Sequence, residues 1–205
     1  MLFYNSIGPN PKVVRMFMAE RGIEGIPTET IDLRGGENRK EPFLSKNPAG
    51  QCPALALDNG AILAEITAIC EYLDEVGPAG RTLIGSTPEE RAETRMWTRR
   101  IDLNIAEPMA NGFRFAEGLK MFENRIHCIP QAADDLKQIA QEQLTWLDGL
   151  IAGRTFICGD TLTLADILLF CFVDFFAGIK QPLNPANTNI AAWYERMKAR
   201  PSAAA

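Results

Sequence analysis

The sequence predicts a small mixed α/β domain followed by an all-helical domain. Three observations carry this. In the first part, short strand-like apolar runs alternate with stretches of helical periodicity. A Gly/Pro-rich stretch, GPAGRTLIGS at 77–86, then breaks the pattern. After it, no run reads as a strand. The α/β domain is therefore placed at 1–77, a linker at 78–87 and the helical domain at 88–205.

The elements follow in order. MLFYN is a short strand. PNPKVVRMFMAERG is a helix, with Asn10 as its cap, Pro11 in the first turn and Gly22 just past its end. IPTETIDL alternates from Ile26 to Leu33 as a second strand, and GGENRKEPF is a polar loop. CPALAL and AILAE flank Asp58-Asn59-Gly60 as a hairpin. ITAICEYLDEV puts Ile66, Ile69, Cys70 and Leu73 on one helical face. In the second domain, Thr87-Pro88-Glu89-Glu90 starts a long helix with a bend expected at Pro108. A further helix covers 131–151. TLTLADILLF opens another, with Thr163 at the N-cap and Asp166 at N3. NIAAWYERMKA is the last helix.

Composition narrows the function classes. Of 205 residues, 46% are hydrophobic and 23% charged, which suits a globular core. A net charge of -5 favours neither a nucleic-acid backbone nor an anionic membrane surface. Gly8, Pro9 and Pro11 break the N-terminal run before it resembles a signal peptide. Asp166 and Asp174 interrupt the most apolar stretch, so no membrane span is expected. The five cysteines never form a CxxC pair and four lie in apolar company, which reads as reduced thiols in a cytoplasmic protein. With His127 the single histidine, no metal site is expected.

Four motifs, in order along the chain, resemble those of the cytosolic glutathione S-transferase family, of bacterial type. They are NPAGQCPAL at 47–55, AEITAICEYL at 64–73, GDTLTLADILLF at 159–170 and ERMKARPS near the end. The resemblance spans essentially the whole chain. It implies a thioredoxin-like N-terminal domain followed by the all-helical glutathione-transferase domain, glutathione as co-substrate, and a homodimer. It also implies a detoxifying transferase that activates the glutathione thiol for attack on a small electrophile.

The same resemblance assigns the site. Pro53 is expected to be cis, and the backbone of Cys52 to pair with glutathione's cysteinyl group like an added strand. Glu65 would receive the γ-glutamyl ammonium. Ile66 stands where the family usually has serine, so only its backbone amide could serve the γ-glutamyl carboxylate, with Thr67 a partial substitute. Gln51 would touch the ligand backbone. Arg39 and Lys40, beside Asn38, lie where the glycyl carboxylate binds. Each has a plainer reading: Glu65 as a helix-dipole partner, Gln51 as a solvated amide, and the 38–40 run as a solvated charge cluster.

Two questions stay open at this level. The family's usual thiol-activating serine falls on Gly8, which has no donor side chain, leaving Ser6 first and Asn10 second as catalytic candidates. Asn104, Met109, Phe113 and Arg114 are the candidates for the second-substrate pocket, and the resemblance implies that Asp102 reaches a neighbouring subunit's glutathione. Cys52 reads either as a nucleophile, which would make the protein a thiol oxidoreductase or peroxidase, or as a small core residue replacing the family's valine. A non-catalytic binding protein that kept the fold is the remaining alternative.

Overall fold

Strands β1 (Leu2–Asn5), β2 (Thr28–Thr30), β3 (Ala54–Ala56) and β4 (Ile62–Ala64) form one sheet in the order β2-β1-β3-β4. The computed structural model describes residues 1–205 throughout. β1 and β2 run parallel, while β1–β3 and β3–β4 are antiparallel. A parallel pair needs a crossover, and helix α1 (Pro9–Arg21) supplies it. Helix α3 (Ile66–Val76) packs beside α1.

Alternation along β1 buries both faces of the sheet. Phe3 is fully buried, as are Val13, Val14 and Phe17 of α1 and Ile69, Cys70 and Leu73 of α3. Tyr4 joins Ile31, Phe43 and Ala54 in a separate cluster. Phe43 opens a one-turn helix, α2 (Phe43–Lys46), that begins at the last residue of the stretch read as polar loop. Its ring meets Tyr4 edge-on at 5.8 Å.

Two local readings change. Strand β2 is shorter than 26–33 because Asp32 turns the chain. The Gly35 N–H donates to Asp32 Oδ1 at 2.9 Å, and Glu37 accepts the Asp32 N–H at 2.7 Å. Asn10 is not the cap of α1. Pro9 already has the φ that a first turn needs, so the helix begins two residues earlier and Gly8 becomes the N-cap. Gly8 takes φ 103°, where a side chain would be strained.

The compact first unit comprises Met1–Ile84 together with Pro201–Ala205. The front of the Gly/Pro-rich segment is strapped down. Arg21 Nε lies 2.7 Å from Asp74 Oδ1, in a nearly buried ion pair. The Arg21 guanidinium donates to the carbonyls of Asp74, Pro78 and Arg81. Asp74 accepts from the Leu83 N–H at 2.9 Å and from the Thr82 hydroxyl. Leu83 and Ile84 are buried. At the chain's end, Ser202 hydrogen-bonds Glu20 of α1, and Arg15 donates to the Ala205 carbonyl at 3.5 Å.

The second unit, Gly85–Arg200, is helical. It contains α4 (Pro88–Ile101), α5 (Glu107–Arg114), α6 (Leu119–Phe122), α7 (Ala133–Leu150), α8 (Leu164–Ala177) and α9 (Thr188–Lys198). The Thr87–Glu90 capping box forms as the sequence suggests. Between α4 and α5 the backbone is π-helical over Asp102–Ala106. Pro108 explains this: its ring crowds the carbonyl four residues back, at Asn104, and it has no N–H to donate there. Every residue from Leu164 to Val173 is buried, so α8 is the core helix. No helix is long and apolar enough to cross a membrane.

Candidate functional site

The register of the sheet gathers the candidate residues of the first unit at one edge. Tyr4 pairs with Ala54, and Ala54 with Ala64. The end of β1, the start of β3 and the end of β4 therefore lie side by side. Asn5–Asn10, Gln51–Pro53 and Glu65–Thr67 extend from that edge. The loop after β2 joins them, because the Ile31 N–H donates to the Asn5 carbonyl at 2.9 Å.

Two buried asparagines shape the loop before β3. Asn47 Nδ2 donates to the Gln51 carbonyl at 2.8 Å, and its Oδ1 accepts from the Ala49 N–H at 3.2 Å. Asn38 Nδ2 donates to the Gly50 carbonyl at 2.6 Å. Gly50 has φ 60°, and a Cβ there would stand 2.9 Å from the Asn38 carbonyl oxygen. The loop leads to a cis bond at Cys52–Pro53; a second cis bond, Glu41–Pro42, was not anticipated. The backbone N–H and C=O of Cys52 have no partner in the chain. Its side chain packs on the Tyr4–Ile31–Phe43–Ala54 cluster. Burial, and secondarily the charge of Glu37, push this thiol up to about 12. It is a protonated, poorly nucleophilic group at neutral pH.

Glu65 is the N-cap residue of α3, with φ 69° and ψ 122°. That conformation is costly for a residue with a side chain, by about 1–3 kcal/mol. The Glu65 carboxylate is exposed and makes no bond within the chain. No side chain caps α3 and its first turn holds no acid. The first backbone bond of the helix runs from the Ile69 N–H to the Glu65 carbonyl. The amides of Ile66, Thr67 and Ala68 therefore remain open toward any anion. Ile66 itself is 8% exposed and belongs to the core. Thr67 is half-buried, with its hydroxyl free of partners.

The 38–40 stretch divides. Asn38 is spent on Gly50. Arg39 leans on the same loop, donating to the Ala49 carbonyl at 3.4 Å. Lys40 and Gln51 are exposed.

Ser6, the first catalytic candidate, is 5% exposed, and its hydroxyl donates to the Ile31 carbonyl at 2.6 Å. Its proton holds β1 to the chain after β2. Asn10, released from capping, sits half-buried in the first turn of α1 and its carboxamide has no partner in the chain. Arg15 fixes the approach to that turn, donating to Asn5 Oδ1 at 2.6 Å and to the Ser6 carbonyl at 3.3 Å.

The second-unit candidates do not come together as one lining. Met109 is 1% exposed, a core residue, and its carbonyl accepts from Gln181 at 2.9 Å. Phe113 lies among Phe122 and Phe176. Arg114 donates to Glu107 at 3.2 Å and to Asn111 at 2.9 Å. Asn104 is exposed on the π-helical segment, and Asp102 lies 3.8 Å from Arg99. No cluster of three or more His, Cys, Asp or Glu side chains is arranged for a metal.

Sequence reasoning missed Arg15, Arg21 and Asp74, whose partners lie far along the chain. Asn47 was visible inside its motif, but its bracing role was not.

A mixed four-stranded sheet with a cis-proline edge, followed by an all-helical unit, defines the glutathione-transferase fold class. The comparisons agree. Residues 7–76 match the glutathione S-transferase N-terminal domain and residues 130–196 the C-terminal domain. The chain is 32% identical to glutathione S-transferase 2 of Saccharomyces cerevisiae, over 98% of this chain and 87% of that protein. The crystal structure of Gtt2 from the same organism superimposes with a TM-score of 0.92 at 31% identity, covering 98% of each chain. Human elongation factor 1-gamma is 33% identical over 74% of this chain, which spans only 32% of that protein. The chain belongs to the glutathione S-transferase family.

Proposed function

We propose that this protein is a glutathione transferase of the cytoplasm that conjugates the glutathione thiol to a small electrophile, as a detoxifying enzyme would. One observation carries the reading. At a single sheet edge, the Cys52 backbone, the strained Glu65 carboxylate and the amides of Ile66–Ala68 are all without partners. Glutathione presents complementary groups: a peptide unit to pair with Cys52, an ammonium for Glu65, and an α-carboxylate for the helix amides. Arg39 and Lys40 supply positive charge for the glycyl carboxylate, and Gln51 a further amide. The reading extends to a homodimer, which sedimentation velocity would test. Asn104, Phe113 and Arg114 are carried as the second-unit residues open to an electrophile.

Calorimetric titration with glutathione, beside a conjugation assay with a chlorodinitrobenzene, tests the proposal. Saturable binding and turnover are expected. Absence of binding would overturn it.

A second reading rests on the elongation-factor likeness and on two departures from the family pattern, Gly8 and Ile66. It is a glutathione-transferase-like protein that binds without catalysing. Glutathione binding with no turnover of any electrophile would favour it. The oxidoreductase alternative is disfavoured by the packed, protonated Cys52 thiol.

A further inference from the structure

On the transferase reading above, glutathione pairs with the sheet edge as an extended peptide. An added strand can slide unless something fixes its register. The chain from Pro48 to Pro53 fixes it by leaving one residue open. Pro48 and Pro53 carry no N–H. The Ala49 N–H donates to Asn47 Oδ1 at 3.2 Å, and the Ala49 carbonyl accepts from Arg39 Nη1 at 3.4 Å. The Gly50 N–H donates to the Asn47 carbonyl at 2.8 Å, and the Gly50 carbonyl accepts from Asn38 Nδ2 at 2.6 Å. The Gln51 carbonyl accepts from Asn47 Nδ2 at 2.8 Å. From Ala54 onward the backbone belongs to the sheet. Cys52 alone in this stretch offers both an N–H and a C=O. An antiparallel partner exchanges both bonds with a single residue, so it has one place to dock.

Asn38 is the member of this set that acts from a distance. It lies twelve residues before Gly50 and is 4% exposed. Its Oδ1 is buried and has no donor. The carboxamide is thus kept for its N–H alone, at the cost of an unsatisfied acceptor. The Asn38 backbone presses on the same glycine. A Cβ on Gly50 would stand 2.9 Å from the Asn38 carbonyl oxygen, and a φ of 60° already favours glycine there.

We propose that Asn38 is a positioning residue for the glutathione thiol, an inference that rests on the transferase reading. By occupying the Gly50 carbonyl, it closes the acceptor two residues before Cys52. A ligand slipped by two residues would carry its sulfur about 7 Å along the edge. A misplacement of about 1 Å is already enough to cost roughly 10²-fold in rate. Asn38 acts through Gly50 and leaves the chemistry at sulfur to other groups.

Amide hydrogen exchange, read residue by residue by NMR at saturating glutathione, tests this in the full chain. In the wild type, glutathione should slow exchange of the Cys52 N–H by about tenfold, the order of one backbone hydrogen bond, and leave the Gln51 N–H as it was. Asn38→Ala and Asn38→Leu both remove the donor. Leucine also keeps the volume and removes the orphaned Oδ1, so Asn38→Leu is the variant expected to fold if alanine leaves too large a hole. In both, Cys52 protection should fall toward the unliganded level while glutathione is still saturating. In a conjugation assay kcat should fall by about tenfold or more. Glutathione affinity should weaken less than kcat, because Glu65 and the amides of Ile66–Ala68 are untouched. The exchange readout needs no turnover, so it decides even for a protein that binds without catalysing. Cys52 protection retained in Asn38→Leu, or a raised KM with kcat unchanged, overturns the assignment and leaves the transferase reading standing. Protection of the Gln51 N–H instead of Cys52 in the wild type overturns it with no variant needed. No glutathione binding by the wild type overturns both.

Discussion

Glu65 and Asp166 are both carboxylates at the start of a helix, one in each unit, and their surroundings are opposite. Asp166, at N3 of α8, is fully buried. It accepts the Ile157 N–H at 2.9 Å, the Thr163 N–H at 3.0 Å, the Thr163 hydroxyl at 3.1 Å and the Trp193 indole N–H at 3.0 Å. Burial raises its pKa, and those four donors work against the rise. Glu65 is exposed, unbonded and held at φ 69°. One carboxylate is consumed by the fold. The other is held in a costly shape with nothing in the chain to reward it. Under the proposed transferase reading, that reward comes from the ligand.

The contrast breaks first at Asp166. Asp166→Ala would strand four buried donors, including the indole of fully buried Trp193. The loss should be on the order of 3–5 kcal/mol. Urea denaturation measures it, and a shift below about 1 kcal/mol would mean that the network is not structural.

Glu65→Ala should do the reverse. Unfolding free energy should hold or rise, because the side chain has no partner to lose. Glutathione affinity should drop by about 2–5 kcal/mol, the cost of leaving the γ-glutamyl ammonium without its counter-charge. Calorimetry and denaturation on one preparation separate the two effects. Loss of stability with intact affinity would reverse the assignment.

The two carboxylates also show what the sequence could reveal. Thr163/Asp166 and Thr87/Glu90 were legible because a capping box is local, written three residues apart. The fold class was legible for a similar reason: strand and helix periods, and the prolines and glycines between them, are short-range signals. The Ser6 bond was not legible because its partner, Ile31, lies 25 residues on. Asn10 was read as a cap because either of two prolines could open α1, and pattern alone did not choose between them. Met109 carried an apolar residue at helical spacing, which does not say whether it points to a core or to a pocket.

Ile66→Ser sharpens the comparison on the ligand side. Restoring a hydroxyl at the start of α3 should tighten glutathione by at most about 1.5–3 kcal/mol, one hydrogen bond to a charged group. The same change removes a buried side chain, so the protein should lose about 2–4 kcal/mol of stability. That trade gives isoleucine a physical reason to stand there: the position is spent on the core while its backbone amide still faces the site. Unchanged affinity would show that Thr67 already supplies the hydroxyl.

The smallest expected effect tests the strain itself. Glu65→Gly removes the carboxylate, as Glu65→Ala does, but glycine reaches φ 69° without a Cβ penalty. Alanine keeps that penalty. The unfolded chain also gains entropy with glycine, which opposes the gain. If the backbone at Glu65 is strained, Glu65→Gly should be more stable than Glu65→Ala by about 1 kcal/mol, despite glycine's disadvantage in the unfolded state. Both variants should bind glutathione equally weakly, since both lack the counter-charge. Thermal unfolding of the pair, matched in buffer and concentration, reads the difference directly. Alanine as stable as glycine would place the strain in the bound form rather than in the free protein, and the ligand would then shape this turn instead of finding it ready.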